Sequence, residues 1–305
     1  MSILLSNILV PVDFSVNTEV AIKKAIEMVK APGAVIHLLH VSSPQHTWNY
    51  ILSRNGHSSM DKEIYYSEAM RKLKEWKIAI ELTIPQTTIK ICMLEGTVHA
   101  KIIQVAVQIK AQLIIIAKKR SPDFFGISAS VHPNRLAKSS TCPVLTIRRG
   151  SMQNKIKTIV VPVRSFIPYR KIELAIEFAK RDRAKIHVVT LQSKMATWNI
   201  ERNYLLETYR LLKSRLTNAV EYHVLNGTNL PKATLDYAQH IGADLILANP
   251  CSETKITVFT GKHMNDLLLA SSKLQILSVE PYPYRQQKSD ENSVSIENTK
   301  QINVV

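Results

Sequence analysis

The chain has 305 residues, 45% of them hydrophobic, and a formal net charge of +16, a size and composition that fit two globular domains. No run approaches the ~18 apolar residues of a membrane-spanning helix, so we expect no membrane partner. The basic residues are spread along both halves, and neither zinc-finger spacing nor the stacking motif of RNA-binding sheets is present, so specific nucleic-acid binding is not expected.

Short apolar runs alternate with stretches of helical periodicity through the first half of the sequence. In residues 18–30, for example, Val20, Ala25 and Val29 lie on an apolar stripe with helical spacing. Such alternation predicts a parallel sheet with right-handed crossovers, and the apolar run LIIIA is typical of a strand covered on both faces. The predicted strands are 7–12, 34–41, 89–94, 112–117 and 143–148, and the predicted helices are 18–30, 61–79, 98–110 and 134–139.

The second half of the sequence repeats the first. ILVPVDFS at 8–15 returns as IVVPVRSF at 159–166, 151 positions later, and LEGT at 94–97 returns as LNGT at 225–228, 131 positions later. VIHLLHV and KIHVVTL, and QLIIIA and DLILAN, are further matched pairs. A repeat of this length indicates two domains of about 140 residues, each large enough to bury a core. We expect half one at residues 1–149, a linker at 150–154, half two at 155–281, and a polar tail at 282–305 that is disordered.

Three turns of each half are expected to meet at one edge of its sheet. In an open parallel sheet, ligands bind in the crevice beyond the carboxyl ends of the strands, where the strand order reverses. In half one these turns are residues 13–15 after strand one, the end of strand two at Val41, and the loop 117–131 after strand four.

The motifs ILVPVDFS, HLLHV, LEGT and LIIIA, closed by STCPVLTIRR at 140–149, resemble the universal stress protein family in its tandem form. The resemblance is specific over residues 7–149 and looser over 157–280. It implies an α/β fold of two doubly wound parallel five-stranded sheet domains in tandem, each like the adenine-nucleotide alpha-hydrolase fold. It also implies that the final strand of each half is a pairing edge, used within the chain or in a homo-oligomer.

For the nucleotide-binding members of this family, the resemblance further implies an ATP site. There an aspartate closing strand one recognises the base, a valine after strand two lies against it, and a Gly-x2-Gly-x9-Gly-Ser/Thr loop wraps the ribose and phosphates. Glycines in such a loop let consecutive backbone N–H groups approach phosphate oxygens. Laid onto half one, the resemblance selects Asp13, Ser15, Val41, Ala117, Arg120, Ser130 and Val131.

Neither half keeps the complete set of these residues. Half one retains the aspartate and the loop spacing but has lost all three glycines. Half two has Arg164 in place of the aspartate, and its loop positions hold Ala248, Cys251, Gly261 and Lys262. One interpretation is that both sites are vestigial. The other is that half one binds ATP, AMP or another anion through Lys118, Lys119 and Arg120. Asp13 is then the best ligand candidate, unless its carboxylate caps the first helix or is solvated.

The remaining motifs, histidines and cysteines do not predict a catalytic site. The signatures GxxxxGK[ST], GxGxxG, HExxH and GxSxG are absent, so we expect no catalytic residues and keep weak ATP hydrolysis only as a third hypothesis. His37 and His187 fit alternating strand positions better than metal ligands, and we expect no metal site. Cys92, Cys142 and Cys251 show no metal or redox spacing, which indicates buried thiols in a reducing compartment.

Taken together, these patterns predict a non-catalytic stress-response protein of two stacked α/β domains. The N-terminal segment has no basic leader or cleavage site, so we expect a cytoplasmic protein. Its working mode is binding, either of a ligand in half one or of a protein partner that the sequence does not identify. No cofactor is certain, and ATP or AMP in half one is the alternative.

Overall fold

The computed structural model describes residues 5–29, 33–42, 59–118, 131–151, 155–192, 198–250, 252–256 and 262–281. In this part of the chain, strands and helices alternate as the sequence predicts. The strands are β1 (Asn7–Val12), β2 (Val35–Ser42), β3 (Thr88–Glu95), β4 (Leu113–Ala117), β5 (Val144–Ile147), β6 (Thr158–Pro162), β7 (Lys185–Leu191), β8 (Val220–Leu225), β9 (Leu245–Ala248) and β10 (Gln275–Ser278). The helices are α1 (Val16–Met28), α2 (Ser59–Thr83), α3 (Val98–Gln108), α4 (Pro133–Ser140), α5 (Tyr169–Asp182), α6 (Trp198–Arg215), α7 (Leu230–His240) and α8 (Met264–Leu267).

The described strands form one ten-stranded sheet in the order β3-β2-β1-β4-β5-β10-β9-β6-β7-β8. Every pairing within a half is parallel. The two halves meet where β5 pairs antiparallel with β10, with Leu145 opposite Leu277. The final strands of the two halves, β5 and β10, therefore pair with each other inside this chain and are not free to pair with a second copy.

Both faces of the sheet are buried, as the apolar run LIIIA predicts. In β4, Leu113 and Ile115 pack into one apolar cluster that extends across both halves. Ile114 and Ile116 point to the opposite face, where half one has its own cluster, and half two has a third. This alternation follows from the two-residue period of a strand. The helices of each half thus cover the sheet from both sides and leave its carboxyl edge for the connecting loops.

The repeated LEGT and LNGT motifs form the same turn in the two halves. Gly96 follows β3 with φ +137°, and Gly227 follows β8 with φ +150°. These backbone angles favour glycine, because a side chain is strained there. Each turn leads into a helix, α3 after Thr97 and α7 after Asn229, whose side-chain oxygen accepts a hydrogen bond from the Lys232 N–H at 2.9 Å.

The start of the predicted linker is packed against half two. Arg149–Ser151 forms a short 3-10 helix, and the Gly150 N–H donates to the Ala270 carbonyl at 3.1 Å. A Cβ on Gly150 would lie 2.0 Å from the Ser271 carbonyl oxygen. Only glycine fits this contact, so the connection between the halves is tight at its first residues. Residues 152–154 and the tail 282–305 lie outside the described residues.

The described part of the chain has no helix that combines the length and the apolar character needed to span a membrane. Of the three cysteines, Cys142 is buried, and burial raises the pKa of its thiol to about 12. Cys92 is half-buried, and burial also raises the pKa of its thiol. Both thiols are therefore protonated near neutral pH, which makes them poor nucleophiles. Cys251 lies outside the described residues.

Candidate functional site

The strand order reverses between β1 and β4 in half one and between β6 and β9 in half two. Each reversal opens a crevice at the carboxyl edge of the sheet, which is where ligands bind in this architecture. The described residues place Asp13, Ser15 and Ala117 around the first crevice, at the ends of β1 and β4. The corresponding end of β6 in half two leads into Arg164, which is exposed.

Asp13 is held by the turn that it begins. Its Oδ1 atom accepts hydrogen bonds from the Ser15 N–H at 3.0 Å, the Ser15 hydroxyl at 2.6 Å and the Thr18 hydroxyl at 2.6 Å. The Thr18 hydroxyl in turn accepts from the Asp13 N–H at 3.0 Å. This network ties the carboxylate to the turn that enters α1, but it is not a helix cap, because the acceptor bonds the N–H of Ser15, the residue before the helix, and two hydroxyls, and bonds no N–H of the first helical turn. Thr18, which the sequence motifs did not single out, completes it.

The neighbouring side chains fix the same turn. Phe14 has φ +57°, a left-handed backbone that costs a non-glycine residue about 1–2 kcal/mol. Its ring lies 4.5 Å from the His40 ring and 5.6 Å from the Trp76 ring. His40 Nδ1 lies 2.8 Å from the Val12 carbonyl oxygen, and His40 Nε2 lies 2.8 Å from the Tyr65 hydroxyl. The end of β1 is thus packed by aromatic side chains from β2 and α2, which offset the strain at Phe14.

We expect Asp13→Ala to lower the free energy of unfolding by about 1–2 kcal/mol, the order of a net intramolecular hydrogen-bond contribution. The substitution removes the acceptor of three hydrogen bonds at the start of α1. Urea unfolding of the full chain measures the effect. Glu19→Ala is the matched control, since Glu19 is an exposed carboxylate in the first turn of the same helix. Equal midpoints for the two variants would show that the Asp13 network does not stabilise the turn.

The other predicted positions in half one are apolar or undescribed. Val41 and Val131 are each nearly inaccessible, and both belong to the apolar cluster that includes Leu39. Ala117 is half-buried at the end of β4. Arg120, Ser130 and Lys119 lie outside the described residues. The structure therefore brings together Asp13 and Ser15 by direct contact, and Val41 and Val131 by packing in one cluster.

Lys118, one of the three cations proposed to contact a phosphate, is paired with half two. Its Nζ atom lies 2.7 Å from Asp266 Oδ1. Burial alone would raise the pKa of Asp266, but hydrogen bonds from Lys118 and from the His263 N–H outweigh that effect and lower the pKa. Asp266 is therefore ionised at neutral pH. The Lys118 carbonyl also accepts a hydrogen bond from the buried Arg148 guanidinium at 2.6 Å. The contact of Lys118 with Asp266 joins the two halves, while its contact with Arg148 lies within half one.

In half two, a buried ion pair connects helix α5 to the loop after β9. Lys171 of α5 and Glu253 have side chains that are only 1% and 4% exposed, with Nζ and Oε2 separated by 2.6 Å. Lys171 also donates to the Pro162 carbonyl at the end of β6. Glu253 Oε2 accepts from the Asn249 N–H at 2.8 Å, and its Oε1 accepts from the Asn249 side-chain amide at 3.2 Å. This pair thus joins the ends of β6 and β9, the two strands that flank the second crevice.

The charges of this pair are balanced locally. Burial lowers the pKa of Lys171 and raises the pKa of Glu253, while the attraction between the two groups opposes both shifts.

The sequence motifs did not reveal this pair, because Lys171 and Glu253 are 82 positions apart. One signal was present in the sequence: Lys171 lies on the same helical stripe as Leu174, Ala175 and Phe178, all of which are buried. A lysine on an apolar stripe predicts a buried charge that needs a partner.

Comparison with known proteins agrees with this architecture. Residues 5–148 match the model of the universal stress protein family, while no curated protein matches the chain. A universal stress protein from Archaeoglobus fulgidus is 15% identical in sequence, with a TM-score of 0.64 over 91% of this chain and 97% of that one. A functionally unknown protein from Pseudomonas aeruginosa is also 15% identical, with a TM-score of 0.55 over 92% and 94% of the two chains.

A third solved structure with the same fold is the cytoplasmic domain of a prokaryotic cation chloride cotransporter. It is 11% identical, with a TM-score of 0.52 over 90% of this chain and 96% of that one. At such identities these similarities show the fold alone, and they extend over both halves. The fold is the α/β, adenine-nucleotide alpha-hydrolase-like architecture that the sequence motifs imply. Residues 5–148 of this chain are thus similar to the universal stress protein family, and both halves share the fold of a solved universal stress protein.

Proposed function

We propose that this protein is a non-catalytic stress-response protein that acts by binding a partner, and that its two crevices no longer hold ATP through backbone amides. The observation that carries the proposal is the buried Lys171–Glu253 pair in half two. A nucleotide loop of this family needs free N–H groups directed at phosphate oxygens. In half two, the first N–H after β9, that of Asn249, donates to Glu253 Oε2 instead.

Glu253 thus acts as an internal anion in half two. Its carboxylate takes a main-chain hydrogen bond and a lysine cation, both of which a phosphate group would otherwise attract. An incoming triphosphate would have to displace a buried carboxylate and would meet its negative charge. These contacts, together with Arg164 in place of the aspartate, support a crevice in half two that is filled by the protein's own side chains.

The same reasoning applies more weakly to half one. Asp13 remains, but its Oδ1 atom already accepts three hydrogen bonds from its own turn. Val131 stands where the loop pattern has serine or threonine, and its side chain is buried in the core. Lys118 is paired with Asp266. These contacts support a vestigial site, while the retained aspartate keeps an ATP or AMP sensor in half one as the second candidate.

The experiment that separates the two candidates is nucleotide extraction followed by direct binding. Purified full-length protein is denatured, and the supernatant is analysed by nucleotide chromatography. Labelled ATP is then titrated against the wild type, Asp13→Ala and Arg120→Gly. We expect no co-purified nucleotide, no saturable binding and no ATP turnover above background. Stoichiometric ATP or AMP that is lost in Asp13→Ala would overturn the proposal and establish a sensor in half one.

A further inference from the structure

A cluster of two histidines and a glutamate lies on the outer strands of half two, away from the crevice. Parallel pairing of β7 with β8 sets His187 opposite Glu221 and Val189 opposite His223. Because strand residues two positions apart share a face, Glu221 and His223 both lie on the face of His187. Taken one at a time in the sequence, these residues look like ordinary strand positions. The fold brings them to one place.

The donor atoms of this cluster have the spacing of a metal site. His187 Nδ1 lies 3.2 Å from His223 Nε2, His223 Nε2 lies 3.4 Å from Glu221 Oε2, and His187 Nδ1 lies 3.9 Å from Glu221 Oε2. In a tetrahedral zinc site with bonds of about 2.0–2.2 Å, ligand atoms are roughly 3.3–3.6 Å apart. The point in the plane of the three atoms that is equidistant from them lies about 2.0 Å from each, close to the length of a zinc–nitrogen bond.

Neighbouring groups orient these donors. Lys185 Nζ binds Glu221 Oε1 at 2.6 Å, which leaves Oε2 directed toward the two imidazoles. The rings of His187 and His223 are stacked at 5.2 Å between centroids. The Tyr237 hydroxyl of α7 lies 2.9 Å from His187 Nδ1 and can supply or orient a fourth group. His187 is buried, whereas His223 and Glu221 are partly exposed, so a cation can enter from solvent.

We propose that His187, Glu221 and His223 form a binding site for a divalent cation of the zinc class, completed by the Tyr237 hydroxyl or by water. Two imidazoles and one carboxylate suit Zn²⁺ and its late first-row neighbours, whereas Mg²⁺ prefers oxygen ligands. Within the described part of the chain, the donor atoms of His187, Glu221 and His223 all lie within 4.8 Å of one another, close enough to bind one ion. A metal there would clamp β8 to β7 at the edge of the sheet.

The duplication provides an internal comparison. In half one, the positions that correspond by strand register hold His37 in β2 with Lys90 opposite, and Cys92 two positions further along β3. Burial and the Lys90 charge lower the pKa of His37 to about 4. A lysine in place of Glu221 removes the carboxylate ligand and repels a cation. Of these two corresponding positions in the sheet, only the one in half two therefore carries two histidines and a carboxylate. The fold alone does not require these residues there.

Metal binding to the full-length protein tests the proposal. Protein freed of metal by chelator and dialysis is titrated with Zn²⁺ or Mg²⁺ by calorimetry, and Co²⁺ is added to record its visible spectrum. We expect one Zn²⁺ per chain, no saturable Mg²⁺ binding, and the intense Co²⁺ absorption of a four-coordinate site. Zn²⁺ should also raise the thermal midpoint, because it binds the folded state.

Two variants make the test specific. His223→Gln should weaken Zn²⁺ binding by at least about 100-fold, since loss of a group that only orients a ligand already costs about 10–100-fold. His240→Gln, a change at an exposed histidine of α7, should leave both affinity and stoichiometry unchanged. The half-exposed position of His223 keeps that variant folded, which its midpoint without metal verifies. Equal Zn²⁺ affinity in His223→Gln and the wild type, or no stoichiometric Zn²⁺ binding at all, would overturn the proposal.

Discussion

Glu253→Gln is expected to lower the free energy of unfolding by about 3–5 kcal/mol, the usual result of removing one member of a buried ion pair. The substitution leaves Lys171 with no carboxylate partner at a site that is 1% exposed. Desolvation then acts on the lysine without the attraction that opposed it. The loss is largest at neutral pH, where Lys171 must carry its charge into the interior or give up its proton.

The pH dependence of this loss has a defined sign. In the folded variant the pKa of Lys171 is depressed further below its ordinary value of 10.5, so the unfolded chain binds more protons than the folded one. Stability therefore rises with pH. We expect the difference between wild type and Glu253→Gln to shrink from pH 7 toward pH 10. Urea unfolding at these two pH values measures it.

Two control variants test whether the loss of stability comes from the unpaired buried charge. Replacing both Lys171 and Glu253 by methionine should restore most of the lost stability, because no buried charge remains. Asp236→Asn breaks an exposed ion pair with Lys232 on α7 and should cost less than about 1 kcal/mol. If Glu253→Gln were as mild as Asp236→Asn, the buried pair would not be the structural element that fills the crevice of half two.

Gly150→Ala is the second substitution with a large expected effect. Its Cβ would lie 2.0 Å from the Ser271 carbonyl oxygen and 2.8 Å from the Ser272 carbonyl carbon. Backbone atoms cannot yield as a flexible side chain does, so the contact between the 3-10 helix and half two must open. We expect a cost of about 2–3 kcal/mol, in the range of overpacked interiors, and a fall of several degrees in the thermal midpoint.

Gly33→Ala is the matched control for this substitution. Gly33 has φ +79°, and a methyl group added there would have no atom of the described residues within 4 Å, so we expect a cost from backbone strain of about 1–2 kcal/mol. Calorimetric scans of the two variants and the wild type provide the comparison. A Gly150→Ala protein with an unchanged midpoint would show that the halves are not packed against each other through the first residues of the linker.

The sequence predicts the fold well because its strands carry the strongest local signal. The predicted bounds of β1 coincide with the observed ones, and β4 differs by one residue, since apolar runs buried on both faces leave little ambiguity. Helix α2 extends beyond its predicted range of 61–79 to Ser59–Thr83, because helix ends depend on contacts that periodicity does not record. The pairing of β5 with β10 came from family resemblance.

The sites are less predictable for a physical reason. A motif places Asp13 beside Ser15, since both lie in one turn, but the partner of Lys171 is 82 positions away. The same holds for His187, whose neighbours Glu221 and His223 come from the next strand. Long-range side-chain pairs arise from strand register and loop path, and neither is encoded in local spacing. The repeated sequence shows where the crevices lie, but it does not show which side chains or ligands fill them.

A crystal structure of the full-length protein grown with saturating ATP would decide whether the second crevice is filled by the protein itself. We expect that, in half two, the Asn249 N–H still donates to Glu253 and Lys171 still contacts the same carboxylate, with no nucleotide between β6 and β9. An adenine nucleotide at full occupancy in that crevice, with its phosphates bound by main-chain N–H groups of the loop after β9 and Glu253 displaced, would contradict this expectation.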